Sequence, residues 1–434
     1  MKKKKFLVPM LAALSLSAFL AGCSKDGASE AASETDGATE EKIELNFWYP
    51  FTDKIQEANE GLVEKFNESQ DRIEVKASTQ GNYTDIEQKV RQSIVAGNQP
   101  EVFVTVINGV SGLQKDGVIE NLSPHMEADS DFEIEDFIEG IASTSKIDSN
   151  YYGLPYFNST PLVYYNKAMF EAAGISPDQL STWEGVQDAA KQLTKDGIIG
   201  GTQEEHFWIF EANINQRNGK LFSDDGKKSL FASEEGIASA NFILDMVKED
   251  AWKFPIGDQG IEQSRYDFVT GKAAMIFAST SRLALFTEEA KANGIDVGVA
   301  MLPAGDKRAV AVGGSNIVMT AGLDEEKQEA AWEFIEFMTS SESNTWASEY
   351  TGYLPIRHSV GSSEARAALE KEQPLYATAR EQLEFAVSAS SVPGYNEITS
   401  IWREAMEALL TDDSLTTEEA MKMADERATE VLNK

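Results

Sequence analysis

Residues 43–106 have the sequence IELNFWYPFTDKIQEANEGLVEKFNESQDRIEVKASTQGNYTDIEQKVRQSIVAGNQPEVFVTV, and this stretch decides the fold class. Three segments in it predict β-strands, because they are apolar or alternate apolar with polar residues: 43–48, 73–77 and 102–106. The last is apolar almost throughout, as in a buried parallel strand. Between them, apolar residues recur at helical spacing, and the second helix is predicted over 83–96. Strands that alternate with helices in this way predict an α/β layered fold.

The same alternation continues along the rest of the chain. Further strands are predicted at 161–166, 274–278 and 296–303, and further helices at 167–174, 181–193 and 325–338. Ser181 has Glu184 three residues later, which is the spacing of a capping box. From Ser362 onward the sequence is almost wholly helical in pattern, and no repeat period indicates a solenoid.

Length and charge limit the possible functions. The chain has 434 residues, of which 42% are apolar, enough for two or three domains or one large two-lobed body. It contains 72 acidic against 38 basic residues, a net charge of −34. So acidic a chain repels phosphate backbones, which argues against nucleic-acid binding.

The N-terminus is predicted to be a targeting segment. Four lysines, Lys2 to Lys5, precede an apolar run that ends in Leu20-Ala21-Gly22-Cys23. This pattern is that of a signal peptide, too short to be a stable spanning helix, and its end resembles the bacterial lipobox. Residues 1–22 would then be removed and Cys23 lipidated; a plain secretory signal with a chance cysteine is the alternative. Residues 23–42, small and polar, predict a flexible tether.

Motifs with a catalytic or metal-binding mechanism are missing from the sequence. Cys23 is the one cysteine, and the three histidines, His125, His206 and His358, lie far apart, so neither a disulfide framework nor a zinc centre is expected. There is no phosphate-binding Walker sequence, no nucleophile elbow and no calcium loop of the EF-hand type. No cofactor and no metal are therefore expected.

Aromatic residues instead accumulate at predicted strand ends and loops. They are bordered by small hydrogen-bonding residues at Trp48-Tyr49, Tyr83, Tyr151-Tyr152, His206-Phe207-Trp208, Tyr353 and Tyr395. Flat apolar faces beside small polar groups suit carbohydrates. Core packing is the alternative for each residue alone. Their grouping favours a ligand site, since ligands in open α/β sheets lie outside the carboxyl ends of the strands.

From Ile43 onward the chain resembles the extracellular solute-binding proteins of ABC importers. Within their carbohydrate-binding family it is similar to the branch that contains glycerol-3-phosphate-binding proteins. The matching segments, in family order, are Asn46-Phe47-Trp48, Gly81-Asn82-Tyr83, Phe157 to Lys167, Gly271 to Met275, Gly313-Gly314 and Thr351 to Pro355. The resemblance implies a two-lobed periplasmic-binding-protein-like fold with the ligand cleft at the hinge. It also implies a first lobe of residues 43–157 and 303–352 and a second of 158–302 and 353–434.

The resemblance also implies which residues contact ligand. The positions that match, or lie beside, the family's ligand contacts are Trp48, Tyr83, Asn108, Ser159, Trp208, Ser279, Thr280, Gly314, Tyr353 and Tyr395. Two charged groups of the branch are replaced: its glutamate falls at Ile107, next to Asn108, and its phosphate-pairing arginine falls near Ser391. Their loss favours an uncharged sugar. Arg282 could supply another cation, although an exposed arginine opening the next helix is the simpler interpretation.

The sequence therefore predicts a lipid-anchored protein on the outer face of a bacterial cell membrane. It would capture a sugar or short oligosaccharide, pass it to the permease subunits of an ABC importer, and act as a monomer without catalysis. A glycerol-3-phosphate or phosphodiester ligand, a sensor subunit and a secreted glycoside hydrolase are the alternatives.

Overall fold

The computed structural model describes residues 42–257, 259–387 and 389–434. The predicted signal peptide, Cys23 and the tether up to residue 41 lie outside these residues. Within the described ranges, no helix combines the length and the apolar character that crossing a bilayer requires.

The described chain alternates strands and helices. The strands are β1 (Ile43–Tyr49), β2 (Ile73–Thr79), β3 (Val102–Val106), β4 (Lys146–Ile147), β5 (Asn150–Tyr151), β6 (Leu154–Ser159), β7 (Pro161–Asn166), β8 (Gly201–Gln203), β9 (Trp252–Lys253), β10 (Met275–Ser279), β11 (Val297–Met301), β12 (Val310–Ala311), β13 (Gly313–Met319) and β14 (Ala386–Val387). The α-helices are α1 (Asp53–Ser69), α2 (Tyr83–Ala96), α3 (Val110–Lys115), α4 (Ser123–Ala128), α5 (Glu139–Ala142), α6 (Lys167–Ala173), α7 (Trp183–Leu193), α8 (Phe207–Gln216), α9 (Glu234–Lys248), α10 (Gly260–Val269), α11 (Leu283–Ala292), α12 (Glu325–Thr339), α13 (Ser341–Thr351), α14 (His358–Gly361), α15 (Glu364–Glu372), α16 (Pro374–Glu381), α17 (Tyr395–Thr411) and α18 (Thr417–Leu432).

The first large sheet has the strand order β2-β1-β3-β13-β6. Its β1 is parallel to β2 and β3, whereas β13 is antiparallel to β3 and β6, so the sheet is mixed. Aromatic rings join the sheet to its covering helices: Phe334 of α12 lies 5.2 Å from Phe47 of β1 and 5.1 Å from Phe66 of α1. We call this sheet and the helices packed on it lobe one.

The second large sheet has the order β11-β7-β10-β8-β9. Here β7 is antiparallel to both β10 and β11. Its largest core cluster is rich in aromatic side chains; Trp402 of α17 packs on Phe207 and Phe210 of α8 at 5.3 and 5.5 Å. We call this sheet and its helices lobe two. The two-lobed α/β fold expected from the sequence is confirmed.

The chain passes from one sheet to the other at a single residue, Thr160, because β6 ends at Ser159 and β7 begins at Pro161. Thr160 is fully buried, and its amide donates to the Thr280 hydroxyl at 3.2 Å while the Thr280 amide donates back to its carbonyl at 2.9 Å. This reciprocal pair fixes the crossing to the end of β10.

Most predicted elements are found, and one predicted cap is wrong. Helix α2 has the predicted bounds, with a capping box between Asn82 and Asp85. The Ser181–Glu184 capping box does not form, because Ser181 ends a 3₁₀ turn; Thr182 is the cap of α7, accepting from the Gly185 amide at 3.1 Å.

Candidate functional site

The two lobes meet where loops and helix starts from both sides face each other, and we call this region the interlobe cleft. Lys54 of lobe one pairs with Glu288 of lobe two at 2.9 Å. At another point Asn396 of α17 donates to Glu87 of α2 at 3.3 Å. The residues predicted to bind ligand can therefore be placed relative to this cleft.

Two tyrosines from the predicted site come together in the cleft. Tyr83 begins α2 and Tyr353 follows α13; their hydroxyls have the side chains of Ser315 and Ser281 as hydrogen-bonding partners. Burial raises the pKa of both phenols, so both stay neutral and can donate as well as accept. Tyr353 is 5% exposed and its ring stacks on Phe157 at 4.8 Å, so it also belongs to the core of lobe one.

Arg282 lies buried in this cleft, which corrects the expectation of an exposed arginine. It is 8% exposed and directly precedes α11, as the sequence suggested. Its guanidinium pairs with Asp53 of lobe one at 3.4 Å, and its Nε has no hydrogen-bonding partner within the described chain. Asp53 has a φ of 60°, and Phe51 before it a φ of 70°, so the loop that carries the partner of Arg282 is strained.

A second charged group lies behind Arg282. Glu204 is fully buried and pairs with Arg265 at 2.5 Å and His206 at 3.0 Å. Burial opposes its charge, but these neighbours together lower the pKa of Glu204 far below its usual range. The carboxylate therefore stays ionised and holds His206 beside the cleft.

Trp208 lies at the start of α8 and contacts lobe one. A Cβ built on Gly313 would come 2.5 Å from the Trp208 ring, so the indole packs directly on the backbone of β13. The next residue, Gly314, has a φ of 108°, and a Cβ there would come 2.0 Å from the Phe157 carbonyl oxygen. Both glycines thus permit close packing, one against the indole and one against β6.

The serine and threonine candidates lie on the strands that lead to the cleft. Ser159 ends β6, is 4% exposed and is opposite Gly313 in the sheet. Ser279 ends β10, and its hydroxyl accepts from the Ser281 amide and hydroxyl at 3.2 and 2.9 Å. Thr280 is fully buried, with its amide and hydroxyl both bonded to Thr160. A ligand contact from Thr280 remains a prediction, as it does for the two serines.

Asn108 and Tyr395 are placed around the segment that precedes α17. The Asn108 amide donates to the Ser390 carbonyl, and the Ser391 hydroxyl donates to the Asn108 carbonyl at 3.3 Å. Tyr395 begins α17, and its ring meets Phe207 edge-on at 5.7 Å. Asn108 is thus a contact between the lobes, whereas Tyr395 packs partly into lobe two.

Trp48 is placed within lobe one. It is half-buried near the end of β1 and packs against the cluster that contains Ile86, Val90 and Phe103. Its predicted role at the floor of the cleft stays a prediction.

Residues 61–373 match the family described as bacterial extracellular solute-binding protein. The chain belongs to this family. The resemblance seen in the sequence is thereby confirmed, and the family places this solute-binding protein outside the cytoplasm.

Individual relatives agree with this assignment. The sn-glycerol-3-phosphate-binding periplasmic protein UgpB of Escherichia coli K12 is 28% identical over 353 residues, which is 76% of this chain and 77% of UgpB. Among solved structures, the ABC substrate-binding protein Lmo0181 from Listeria monocytogenes, in complex with cycloalternan, matches with a TM-score of 0.80 at 21% identity, covering 91% of this chain and 100% of the other. UgpB from Mycobacterium tuberculosis, in complex with glycerophosphocholine, matches with a TM-score of 0.79 at 22% identity, covering 91% and 99%.

Two residues of the cleft were not singled out from the sequence. Asp53 follows the Trp48-Tyr49 strand end, but nothing in the sequence shows that it pairs with Arg282. Glu211 lies three residues after Trp208 on α8 and is one acidic residue among 72, so only its burial distinguishes it.

Proposed function

We propose that this solute-binding protein captures a sugar or short oligosaccharide in the interlobe cleft and delivers it to the permease subunits of an ABC importer. The observation that carries the proposal is the meeting of Tyr83, Tyr353 and Trp208 with neutral hydroxyl groups at the contact between the lobes. Aromatic faces bind the C–H surfaces of sugars, and neutral donors and acceptors bind their hydroxyls. The Listeria protein of the same fold was solved with a carbohydrate.

The charges in the cleft favour a neutral ligand. Arg282 is offset by Asp53 across the cleft and by the Glu204 carboxylate behind it. A phosphate group, which needs uncompensated cations once it is desolvated, would compete with these carboxylates. The phosphate-pairing arginine of the related branch is also replaced near Ser391.

A phosphate ester is the second candidate, and one observation favours it. The Nε of Arg282 is buried without a partner and could donate to an anion. The Escherichia coli relative is named for sn-glycerol 3-phosphate and the mycobacterial one was solved with glycerophosphocholine.

Isothermal titration calorimetry separates the two candidates. The protein would be titrated with ladders of malto-, isomalto-, cello- and xylo-oligosaccharides, with glycerol 3-phosphate and with glycerophosphocholine. We expect binding of a neutral oligosaccharide and at least tens-fold weaker binding of the phosphate esters. Micromolar binding of a phosphate ester that Arg282→Gln abolishes would assign the protein to phosphate esters instead. Recovery of the sugar unchanged distinguishes binding from glycoside hydrolysis.

We also propose that the protein is held at the membrane by a lipid on Cys23 and is otherwise monomeric. The lipobox-like end of the apolar run supports this, since several acyl chains hold a protein firmly at a bilayer. We expect Cys23→Ser to leave the protein unprocessed or released from the membrane fraction, with its ligand affinity unchanged. A purified Cys23→Ser protein that bound ligand markedly worse would contradict an independent tether. Loss of solute uptake in cells that lack the protein would distinguish delivery to an importer from a sensor role.

A further inference from the structure

One face of α8 extends from the interlobe cleft into a cavity. Trp208, Glu211 and Asn215 are spaced three and four residues apart, so they lie on the same side of the helix. Trp208 contacts Gly313 of lobe one, whereas Glu211 and Asn215 line a cavity of about 440 Å³. At 1.5 Å per residue, the face from Trp208 to Asn215 extends for about 10 Å.

Glu211 is a charged group in the cavity wall that lacks a full set of partners. It is 1% exposed, and its Oε1 accepts from the amide and hydroxyl of Ser390 at 2.8 and 2.6 Å. Its Oε2 is buried and has no hydrogen-bonding partner among the described residues, and no basic side chain pairs with it there. Buried polar groups are almost always satisfied in native proteins, so a carboxylate oxygen left open at a cavity calls for a donor.

The rest of the cavity wall suits a polar, uncharged molecule. Asn215 and Lys307 bring side-chain donors that no described residue binds, and Val392 and Phe222 bring apolar surface. The volume lies within the range of small-molecule sites. A donor and acceptor mixture beside apolar patches is the composition that hydroxyl-rich rings require.

We propose that this cavity is a sugar subsite that extends the interlobe cleft along α8, so that the preferred ligand is an oligosaccharide rather than a single sugar. The proposal rests on the carbohydrate function proposed above. One sugar unit lies at Trp208, and a later unit donates a hydroxyl to Glu211 Oε2 and reaches Asn215 and Lys307.

The wall of the subsite is also part of the contact between the lobes. Ser390, which Glu211 holds through its amide and hydroxyl, accepts from Asn108 of lobe one. A ligand unit bound at Glu211 therefore touches the segment that joins the lobes when the cleft is closed. Longer ligands are expected to favour the closed form more strongly than short ones.

The test is calorimetry on the mature chain with the same oligosaccharide ladders, from the monosaccharide to the tetrasaccharide. In the wild type we expect affinity to rise with length. Glu211→Gln and Asn215→Ala should each weaken binding of the longer members by about tenfold or more, the effect of losing one hydrogen bond to a charged group or a comparable contact. They should leave the shortest binding member unchanged, whereas Trp208→Ala should weaken every member.

Two variants keep the result independent of folding. Lys307→Ala removes an exposed side chain from the cavity wall and should reproduce the length-dependent loss more weakly. Lys195→Ala removes an equally exposed lysine of lobe two that is not in the wall and should change nothing.

Each outcome decides between the two proposals. If a ladder binds but the Glu211, Asn215 and Lys307 variants weaken all lengths equally, or none, Glu211 only positions Ser390 and the subsite is refuted while the carbohydrate function stands. If no ladder binds to the wild type, the carbohydrate function itself is refuted, and the subsite with it.

Discussion

The buried carboxyl group of Glu211 should make the stability of this protein depend on pH in a defined direction. Burial raises the pKa of Glu211 from 4.5 to about 7, although the hydrogen bonds from Ser390 lower it. The folded protein therefore binds a proton that the unfolded chain has lost between about pH 4.5 and pH 7. Stability contributed by this group is fully present below pH 4.5 and is lost as the pH rises through 7.

The size of the effect follows from the difference between the two pKa values. Each pKa unit corresponds to about 1.4 kcal/mol, so the charged carboxylate lowers the free energy of unfolding by about 3 kcal/mol at pH 8 relative to pH 4.5. Tyr395 is the nearest titratable neighbour, and burial and the carboxylate of Glu211 raise its pKa well above 10. It stays neutral over this range. Lys220, Asp224 and Lys307 line the same cavity and do not change charge between pH 5 and 8 at their ordinary pKa values.

Urea unfolding of ligand-free wild type and Glu211→Gln at several pH values from 5 to 8 measures the effect. Glutamine has the same shape, keeps an acceptor for Ser390 and is neutral throughout. We expect the variant to gain stability relative to the wild type as the pH rises, by up to about 3 kcal/mol at pH 8, with the same dependence on urea concentration.

Comparing the two proteins removes the general effect of the net charge of −34, which also varies with pH. Glu171→Gln is the matched control, because Glu171 is exposed on α6 and its side chain has no hydrogen bond or ion pair to the described residues. Parallel pH profiles for wild type and Glu211→Gln would refute the reasoning. They would mean that Glu211 is hydrated or paired in solution.

Four further predictions test the cap, the cleft and its closure. Thr182→Ala should lower the free energy of unfolding by about 1 kcal/mol, measured by urea unfolding, whereas Ser181→Ala should have a much smaller effect; the reverse would restore the capping box predicted from the sequence. Trp208→Ala should weaken sugar binding by about 1–3 kcal/mol in calorimetry while changing the melting temperature of the empty protein less; a lowered melting temperature with full affinity would make it a core residue. Tyr353→Phe keeps the buried ring and removes only the hydroxyl, so it should weaken binding by about 0.5–1.5 kcal/mol, and unchanged affinity would exclude this hydroxyl from the site. Asp53→Asn removes the lobe-one partner of Arg282 and should raise the radius of gyration of the ligand-free protein in small-angle scattering; an unchanged radius would show that this pair does not hold the lobes together.

The strands and helices were largely predictable, because each depends on local periodicity. The αL glycines Gly97 and Gly174 end α2 and α6 where the sequence placed their ends. The strand β6 was missed as a strand, since its polar residues Asn158 and Ser159 hide the pattern of a fully buried segment. The antiparallel orientation of β13 could not be predicted either, because it depends on where the chain returns from the other lobe.

The candidate site was predictable only as far as residue type and family position reach. Tyr83, Tyr353 and Trp208 were found because aromatic residues beside small polar ones are a local signal. The burial of Arg282 was not, since it depends on Asp53 from the other lobe, 229 residues away in sequence. Glu211 carries no local signal at all, because its carboxyl group is distinguished only by what surrounds it in the folded chain.

Two charged side chains in the described part of the protein each have a buried polar atom without a partner, and together they bear on the ligand. Arg282 has an unpaired Nε, which can only donate, and Glu211 has an unpaired Oε2, which in its ionised form can only accept. Buried charged groups are costly when incompletely satisfied, so a ligand that reached both would gain most by supplying an acceptor to one and a donor to the other. A phosphate dianion offers acceptors alone and could satisfy only Arg282. Hydroxyl groups both donate and accept, so a single oligosaccharide can satisfy the arginine at one end and the glutamate at the other.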